Sequence, residues 1–181
     1  MHKERLEGER LVLRKARMSD LDSIFLRIYS EEALLETMFL DITKTKEEAR
    51  ARLARVIAFQ KKKPLFFVAL KQTDEVIGLG GIKEESEGVY SEAGICIARA
   101  HQRQGYASEV LSILLRYAFV DCGAKAFAYY CMSCNIASKA LAKKFGFQYD
   151  SVNQETRRRD NQVFDIERYV LSRDVYMDLN A

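Results

Sequence analysis

The sequence has few of the features that mark linkers, secreted proteins or membrane spans. Its 181 residues include one proline, Pro64, and no low-complexity tract, so we expect a single domain over residues 1–181. The segment 1–8 is charged and lacks the apolar core of a secretion signal. The longest apolar run, Leu65–Leu70, is far too short to span a bilayer. We therefore expect a cytoplasmic protein with no membrane partner.

Excess charge and metal-binding residues are also scarce. The formal net charge of +3 is too small to indicate a nucleic-acid partner. Cys131 and Cys134 have the spacing of a redox motif or of half a zinc site, but no second cysteine pair of this spacing exists, and His2 and His101 lie far away in sequence. Because a zinc ion needs about four ligands, we predict no metal site and expect the thiols to be reduced.

One stretch, Ile95–Ser108, has the pattern of an anion site. An apolar strand leads through a polar turn into a helix with apolar residues at helical spacing. The first backbone N–H groups of a helix have no partner within it, and they attract anions together with the helix dipole. Gly105 would let the backbone approach an anion closely. The pattern indicates a pyrophosphate cradle.

Two common nucleotide sites do not fit this stretch. A P-loop needs Gly-x-x-x-x-Gly-Lys-Ser/Thr, and no such string is present. A Rossmann site needs Gly-x-Gly-x-x-Gly after the first strand of a parallel sheet. Here the turn has one glycine, follows about the fourth strand, and belongs to a sheet that begins with hairpins.

Apolar periodicity and turn residues predict the order β α α β β β α β α β β. Strands are expected near residues 10–14, 65–70, 76–82, 90–98, 125–131, 147–155 and 163–176, and helices near 19–30, 45–62, 105–120 and 135–145. Since a helix separates the strands at 90–98 and 125–131, we expect those two to be parallel. The segment 31–41 is compatible with a short helix or a loop.

The string Gln102-Arg103-Gln104-Gly105-Tyr106-Ala107 resembles the coenzyme turn of the GNAT superfamily of N-acetyltransferases. Asn135-x-x-Ser138 and Phe145-Gly146-Phe147 add to the resemblance, which is closest to the RimJ/RimL-like (ribosomal-protein N-terminal acetyltransferase) branch. It implies an α/β (α+β) GNAT-like domain with a mixed, mostly antiparallel sheet of six to seven strands and about four helices. The sheet would splay between the strands at 90–98 and 125–131, with acetyl-CoA as cosubstrate in the split.

The resemblance also implies which residues hold the coenzyme. They are Ile95, Cys96, Ile97, Gln102, Arg103, Gln104, Gly105, Tyr106, Ala107, Ser108, Asn135 and Ser138. Pyrophosphate would take N–H groups from the turn, and pantetheine would run along the strand before it. The chain departs from the family at Arg99, where many members have proline, and at Ala142, where many have tyrosine.

Acetyl transfer to an amine needs a proton acceptor, a polarised carbonyl and a stabilised thiolate. Glu92 is the leading base, with Glu85, Glu87 and Asp150 as weaker candidates; the alternative is that Glu92 is a solvated strand-end carboxylate. The family likeness places Asn135 beside the pantetheine or acetyl group and Ser138 beside the leaving sulfur. Ser138 could instead only shape the helix start. The N–H of Ile97 is the candidate to polarise the carbonyl.

The residues and the resemblance together favour an acetyl-CoA-dependent N-acetyltransferase. The acceptor would be a primary amine, either a peptide N-terminal α-amine or a small-molecule amine, acetylated by direct transfer. The alternative is a catalytically weak acyl-CoA-binding or sensing module. Segments 31–41 and 154–164 would wall the acceptor site, and the protein would be a monomer or homodimer.

Overall fold

Eight strands and six α-helices, together with four short 3-10 or π-helical segments, make up the regular structure of the computed structural model, which describes residues 3–180. The strands are β1 (Arg5–Glu7), β2 (Leu11–Arg14), β3 (Leu65–Leu70), β4 (Val76–Ser86), β5 (Val89–Ile97), β6 (Ala126–Met132), β7 (Gln148–Thr156) and β8 (Val163–Ser172). The helices are α1 (Leu21–Ile24), α2 (Glu32–Leu35), α3 (Lys46–Gln60), α4 (Tyr106–Arg116), α5 (Ile136–Lys144) and α6 (Arg173–Leu179). None of the helices within residues 3–180 has the length and apolar character to cross a membrane.

The strands form one mixed sheet in the order β1-β2-β3-β4-β5-β6-β8-β7. β5 and β6 pair in parallel, whereas β1–β2, β2–β3, β3–β4, β6–β8 and β7–β8 are antiparallel. This confirms the mixed, mostly antiparallel α/β fold. The parallel pair follows from α4, which carries the chain back across the sheet between β5 and β6.

The predicted counts of six to seven strands and about four helices are both too low. β1 is the extra strand, and its three residues are too few to give a periodic signal. α2 is one extra helix, a single turn within the segment that the sequence left open. α6 is the other: the predicted last strand ends at Ser172, whose hydroxyl accepts a hydrogen bond from the Val175 N–H at 3.4 Å and caps the helix.

The parallel pairing of β5 with β6 is short. It joins Val89–Ser91 to Ala126–Ala128, although β5 and β6 run on to Ile97 and Met132. Beyond the paired part, Gly94 adopts a left-handed φ of +90° inside β5. Such a glycine marks a bulge or bend in a strand. The splay expected beyond the paired part stays a prediction.

The chain divides into two compact units. In the first, residues 3–82 with 93–114, the core contains Ile24, Leu53 and Phe67. Here β4 and β5 approach so closely that a Cβ at Gly78 would lie 2.2 Å from the Cys96 carbonyl oxygen. Only glycine fits at that position, because any side chain would collide with the backbone of β5.

The second unit comprises residues 83–92 and 115–180. Its core is aromatic: Phe127 lies with its ring centroid 6.4 Å from that of Phe119 and 6.2 Å from that of Phe147. The Tyr176 ring of α6 stacks on Phe119 at 4.5 Å. These contacts cover one face of β6 and hold the strand that carries the polar groups described below.

Candidate active site

The turn between β5 and α4 has the geometry expected of an anion cradle. Gly105 has φ +82° and Arg103 has φ +60°, so the chain enters α4 through two left-handed residues. Within the turn, the Gln102 side-chain amide donates to the Ile97 carbonyl at 3.0 Å, and that of Gln104 donates to Ala100 at 3.2 Å. These bonds fix the turn from one side. The first backbone N–H groups of any helix can donate to an anion bound at the helix start.

A second cation lies at this turn besides Arg103. Arg10, just before β2, donates from Nη1 to the Gln104 carbonyl at 2.9 Å, and a Cβ at Gly105 would lie 3.3 Å from its Nη2. Sequence reasoning missed Arg10 because more than ninety residues separate it from the turn. No local pattern could have revealed the contact.

The strand before the turn has two nearly buried side chains, Cys96 and Ile97. Burial raises the pKa of the Cys96 thiol to about 12, so this thiol stays protonated and is a poor nucleophile. A ligand running along this part of β5 would therefore meet main-chain groups rather than a reactive side chain. The role of Ile95, Cys96 and Ile97 in lining the pantetheine arm stays a prediction.

Glu92 lies at the end of the paired part of β5 and contacts β6. Its Oε1 accepts a hydrogen bond from the Tyr130 backbone N–H at 3.2 Å. The Tyr130 hydroxyl donates to Glu85 at 3.2 Å and accepts from Arg168 Nε at 3.0 Å. Glu92 is therefore not a freely solvated carboxylate, because it accepts a hydrogen bond from a β6 amide in the place of a neighbouring strand's carbonyl.

The two weaker base candidates in this network share one arginine. Arg168 donates to Asp150 at 2.9 Å and lies 4.0 Å from Glu85. Hydrogen bonds from Ser151 and from Arg168 lower the pKa of Asp150. A carboxylate with a lowered pKa accepts a proton less readily, so Asp150 is a poorer base than its sequence position suggested.

Ser138 is held by its neighbours at the start of α5. Its backbone N–H donates to the Asn135 side-chain oxygen at 3.0 Å, so Asn135 caps the helix. Its hydroxyl forms a 2.8 Å hydrogen bond with the hydroxyl of Tyr129 on β6. Burial raises the pKa of Tyr129, which is 4% exposed, so its hydroxyl stays protonated. Asn135 and Ser138 therefore lie together, as predicted, and Tyr129 joins them.

A further polar group lies next to Ser138. Lys139 donates to Glu167 at 2.9 Å, and the Tyr169 hydroxyl donates to the same carboxylate. Both hydrogen bonds lower the pKa of Glu167, and the one from Tyr169 lowers it more. Burial raises the pKa of the nearby Cys131 thiol to about 11. Across residues 3–180, no group of three or more His, Cys, Asp or Glu side chains is arranged to hold a metal ion.

The predicted site residues thus form two groups, one in each unit. The coenzyme residues from Ile95 to Ser108 lie in the first unit, and Glu92, Asn135 and Ser138 lie in the second. Sequence reasoning missed Arg10 and Tyr129. Tyr129 stands in an apolar run, where a tyrosine is ordinarily counted as core, so its hydroxyl gave no separate signal.

The family is established by comparison with known proteins. The model of the "Acetyltransferase (GNAT) domain" family matches residues 10–148, and this chain belongs to that family. The uncharacterized N-acetyltransferase YoaA of Bacillus subtilis (strain 168) is 28% identical over 91% of this chain and 94% of its own length. The uncharacterized N-acetyltransferase p20 of Bacillus licheniformis is 25% identical over 96% of this chain and 98% of its own length.

Solved structures share the fold. A GCN5-related N-acetyltransferase from Brucella melitensis superposes with a TM-score of 0.84 and 19% identity, covering 99% of this chain and 83% of that one. RimL, a ribosomal L7/L12 α-N-protein acetyltransferase, superposes with a TM-score of 0.76 and 21% identity, covering 93% of this chain and 94% of that one. The protein is therefore an acetyltransferase of the GNAT family. The likeness to RimL shows a shared fold, and membership of the RimJ/RimL-like branch stays a prediction.

Proposed function

We propose that this acetyltransferase moves the acetyl group of acetyl-CoA directly to a primary amine, with a protein N-terminal α-amine as the favoured acceptor. The observation that carries the proposal is the β5–α4 turn. Its left-handed Gly105 opens a helix start between Arg10 and Arg103. Helix N–H groups, a bare backbone and nearby guanidinium groups are the chemistry that a pyrophosphate requires.

The coenzyme would be held by backbone more than by side chains. Residues from Gln102 to Ser108 would bind the pyrophosphate, and Ile95–Ile97 would line the pantetheine arm. The Ile97 N–H would polarise the thioester carbonyl. Asn135 would contact the pantetheine or acetyl region from the start of α5 while its side-chain oxygen caps the helix.

Glu92 would accept the proton of the attacking amine. An α-ammonium group has a pKa of about 8 and an alkyl ammonium about 10, so most acceptors carry a proton at neutral pH. After deprotonation the amine nitrogen forms a bond to the acetyl carbon, and the carbon–sulfur bond breaks. The electron pair goes to sulfur, where the Ser138 hydroxyl would stabilise the thiolate or relay to it the second proton, which the nitrogen loses as it becomes an amide.

Two carboxylates of the second unit favour a cationic acceptor. Glu92 and Glu85 both accept hydrogen bonds from Tyr130, although Arg168 offsets part of the charge of Glu85. Negative charge draws an ammonium group by long-range attraction. The neighbour RimL, which is named for acetylating the α-amine of a ribosomal protein, favours a peptide N-terminus among possible amines.

The proposal is tested by incubating the protein with acetyl-CoA and a panel of peptides and small amines while thiol release is recorded. We expect turnover with at least one amine, and faster turnover with peptides that have a free α-amine. Gly105→Glu should abolish coenzyme binding, since it adds a bulky anion to the cradle.

Gly123→Glu is the matched control for that variant. Gly123 is also left-handed, with φ +69°, and a Cβ there would meet open space. Both variants add the same charge at a left-handed position, but only Gly105 lies in the cradle, so only Gly105→Glu should lose the coenzyme. Coenzyme binding without turnover on any amine would favour the acyl-CoA-sensing alternative, and unchanged binding by Gly105→Glu would contradict the cradle.

A further inference from the structure

Arg10 and Glu109 form a clamp between the start of β2 and the first turn of α4. The backbone N–H groups of Arg10 and Leu11 both donate to Glu109 Oε1, at 2.7 and 2.9 Å. Arg10 Nε donates to Glu109 Oε2 at 2.9 Å. The carboxylate therefore accepts three hydrogen bonds, two from backbone N–H groups and one charge-assisted bond from the guanidinium group. The Glu109 side chain is only 13% exposed as a result.

The clamp requires an unusually close approach of the two segments. A Cβ at Gly8 would lie 2.6 Å from both Glu109 Oε1 and Ile113 Cδ1. A side chain at position 8 would have to displace the ends of these two side chains, including the Glu109 carboxylate that the clamp holds. The Arg10 guanidinium carbon also lies 4.5 Å from the centroid of the Tyr106 ring, which holds the group over the helix start.

Glu109 poses an electrostatic problem for an anion site. An acidic side chain in the first turn of a helix interacts favourably with the dipole, but its negative charge repels any anion bound at the same helix end. The Arg10 guanidinium and two backbone N–H groups compensate that charge. The helix start can then attract an anionic ligand in addition to the Glu109 carboxylate.

The clamp also orients the peptide group at Gly105. Arg10 Nη1 holds the Gln104 carbonyl oxygen at 2.9 Å. The carbonyl of Gln104 and the N–H of Gly105 belong to one planar trans peptide, so they point in opposite directions. Fixing the carbonyl toward Arg10 therefore directs the Gly105 N–H away from it.

We infer that Arg10 is a positioning residue for the coenzyme, which neutralises Glu109 and fixes the 104–105 peptide for pyrophosphate binding. The inference rests on the proposed function, in which the β5–α4 turn holds the pyrophosphate. It assigns no chemical step to Arg10. Loss of the side chain should therefore weaken the binding of the phosphate-bearing substrate and leave the acetyl-transfer step intact.

The test compares acetyl-CoA with acetyl-pantetheine, which carries the same thioester and no phosphate. For Arg10→Gln we expect the KM for acetyl-CoA to rise roughly tenfold or more, the scale of a lost charge-assisted hydrogen bond, with kcat unchanged. The KM for acetyl-pantetheine should not change. Adding Glu109→Gln to Arg10→Gln should recover part of the acetyl-CoA affinity, because the uncompensated charge is removed.

Arg5→Gln is the control, since Arg5 is 53% exposed and pairs with Glu7 on the surface. If Arg10→Gln does not fold, Arg10→Lys keeps the charge without the fork, and acetyl-CoA must still bind more weakly while acetyl-pantetheine does not. An equal effect on both substrates, or none on either, would overturn the inference. If Gly105→Glu abolishes binding and Arg10→Gln spares it, only the role of Arg10 fails; if Gly105→Glu spares it, the coenzyme turn itself fails.

Discussion

Glu92 can be tested as a base without disturbing the hydrogen bond that it accepts. Its Oε1 lies 3.2 Å from the Tyr130 backbone nitrogen. Glu92→Gln keeps a carbonyl oxygen at that position and nearly the same shape, but it removes the proton acceptor. Glu92→Ala removes both, which leaves the Tyr130 N–H unpaired at a cost of about 1–3 kcal/mol in the free energy of unfolding.

If Glu92 is the base, Glu92→Gln should lower kcat/KM by about 10²–10⁴-fold, the usual contribution of a general base. That range corresponds to roughly 2.7–5.5 kcal/mol of the activation barrier at about 1.36 kcal/mol for each factor of ten. The deficit should be largest at low pH. It should narrow toward about pH 8, where an α-amine loses its proton without help.

The assay is thiol release from acetyl-CoA at several pH values, with thermal unfolding of each variant recorded in parallel. A Glu92→Gln variant with wild-type rates and an unaltered pH profile would refute the assignment of the base. If Glu92→Ala alone were impaired, and unfolded more readily, the carboxylate would serve only to complete the hydrogen bonding of β6.

Two further perturbations address the thiolate and the buried thiol. Ser138→Ala should lower kcat by about 10²-fold, the scale of one donor to a developing charge, with the KM for acetyl-CoA nearly constant. Ser112→Ala, on the exposed side of α4, is its control, and equal rates for both would contradict the role of Ser138. Burial raises the pKa of the Cys96 thiol to about 12. The contribution of this protonated thiol to the free energy of unfolding is therefore fully present below the unfolded thiol pKa of about 8.5, and it is lost as pH rises toward the folded pKa. Denaturant unfolding at about pH 8 and about pH 10 should show wild type losing roughly 2 kcal/mol more than Cys96→Ala; parallel losses would contradict the buried state of this thiol.

The parts of the fold that the sequence predicted are those with strong local patterns. β3 is bounded as predicted, because an apolar run of phenylalanine, valine and leucine follows Pro64 directly. The helix start after Gly105 was also found, since the glycine and the apolar spacing of α4 are both local. β1 escaped notice, and the choice between a helix and a loop stayed open for the segment that holds α2, because each element is too short to repeat its period.

The parts of the site that the sequence could not predict depend on distant contacts. Arg10 and Glu109 are 99 positions apart, and no pattern along the chain links them. Tyr129 and Ser138 are closer, but their bond depends on how β6 faces α5. The likeness to the acetyltransferase family was enough to predict acetyl-CoA as the cosubstrate. The residues that hold the turn and Ser138 in place could be identified only from the three-dimensional structure.

Acetyl transfer to an amine is tested most directly by mass spectrometry of a peptide with a free α-amine after incubation with the protein and acetyl-CoA. We predict that the peptide gains one acetyl group at its N-terminus and that one thiol is released for each acetylated peptide. The Gly105→Glu variant should produce neither. If the wild-type protein binds acetyl-CoA but acetylates neither this peptide nor any other amine in the panel, transfer to an amine is contradicted.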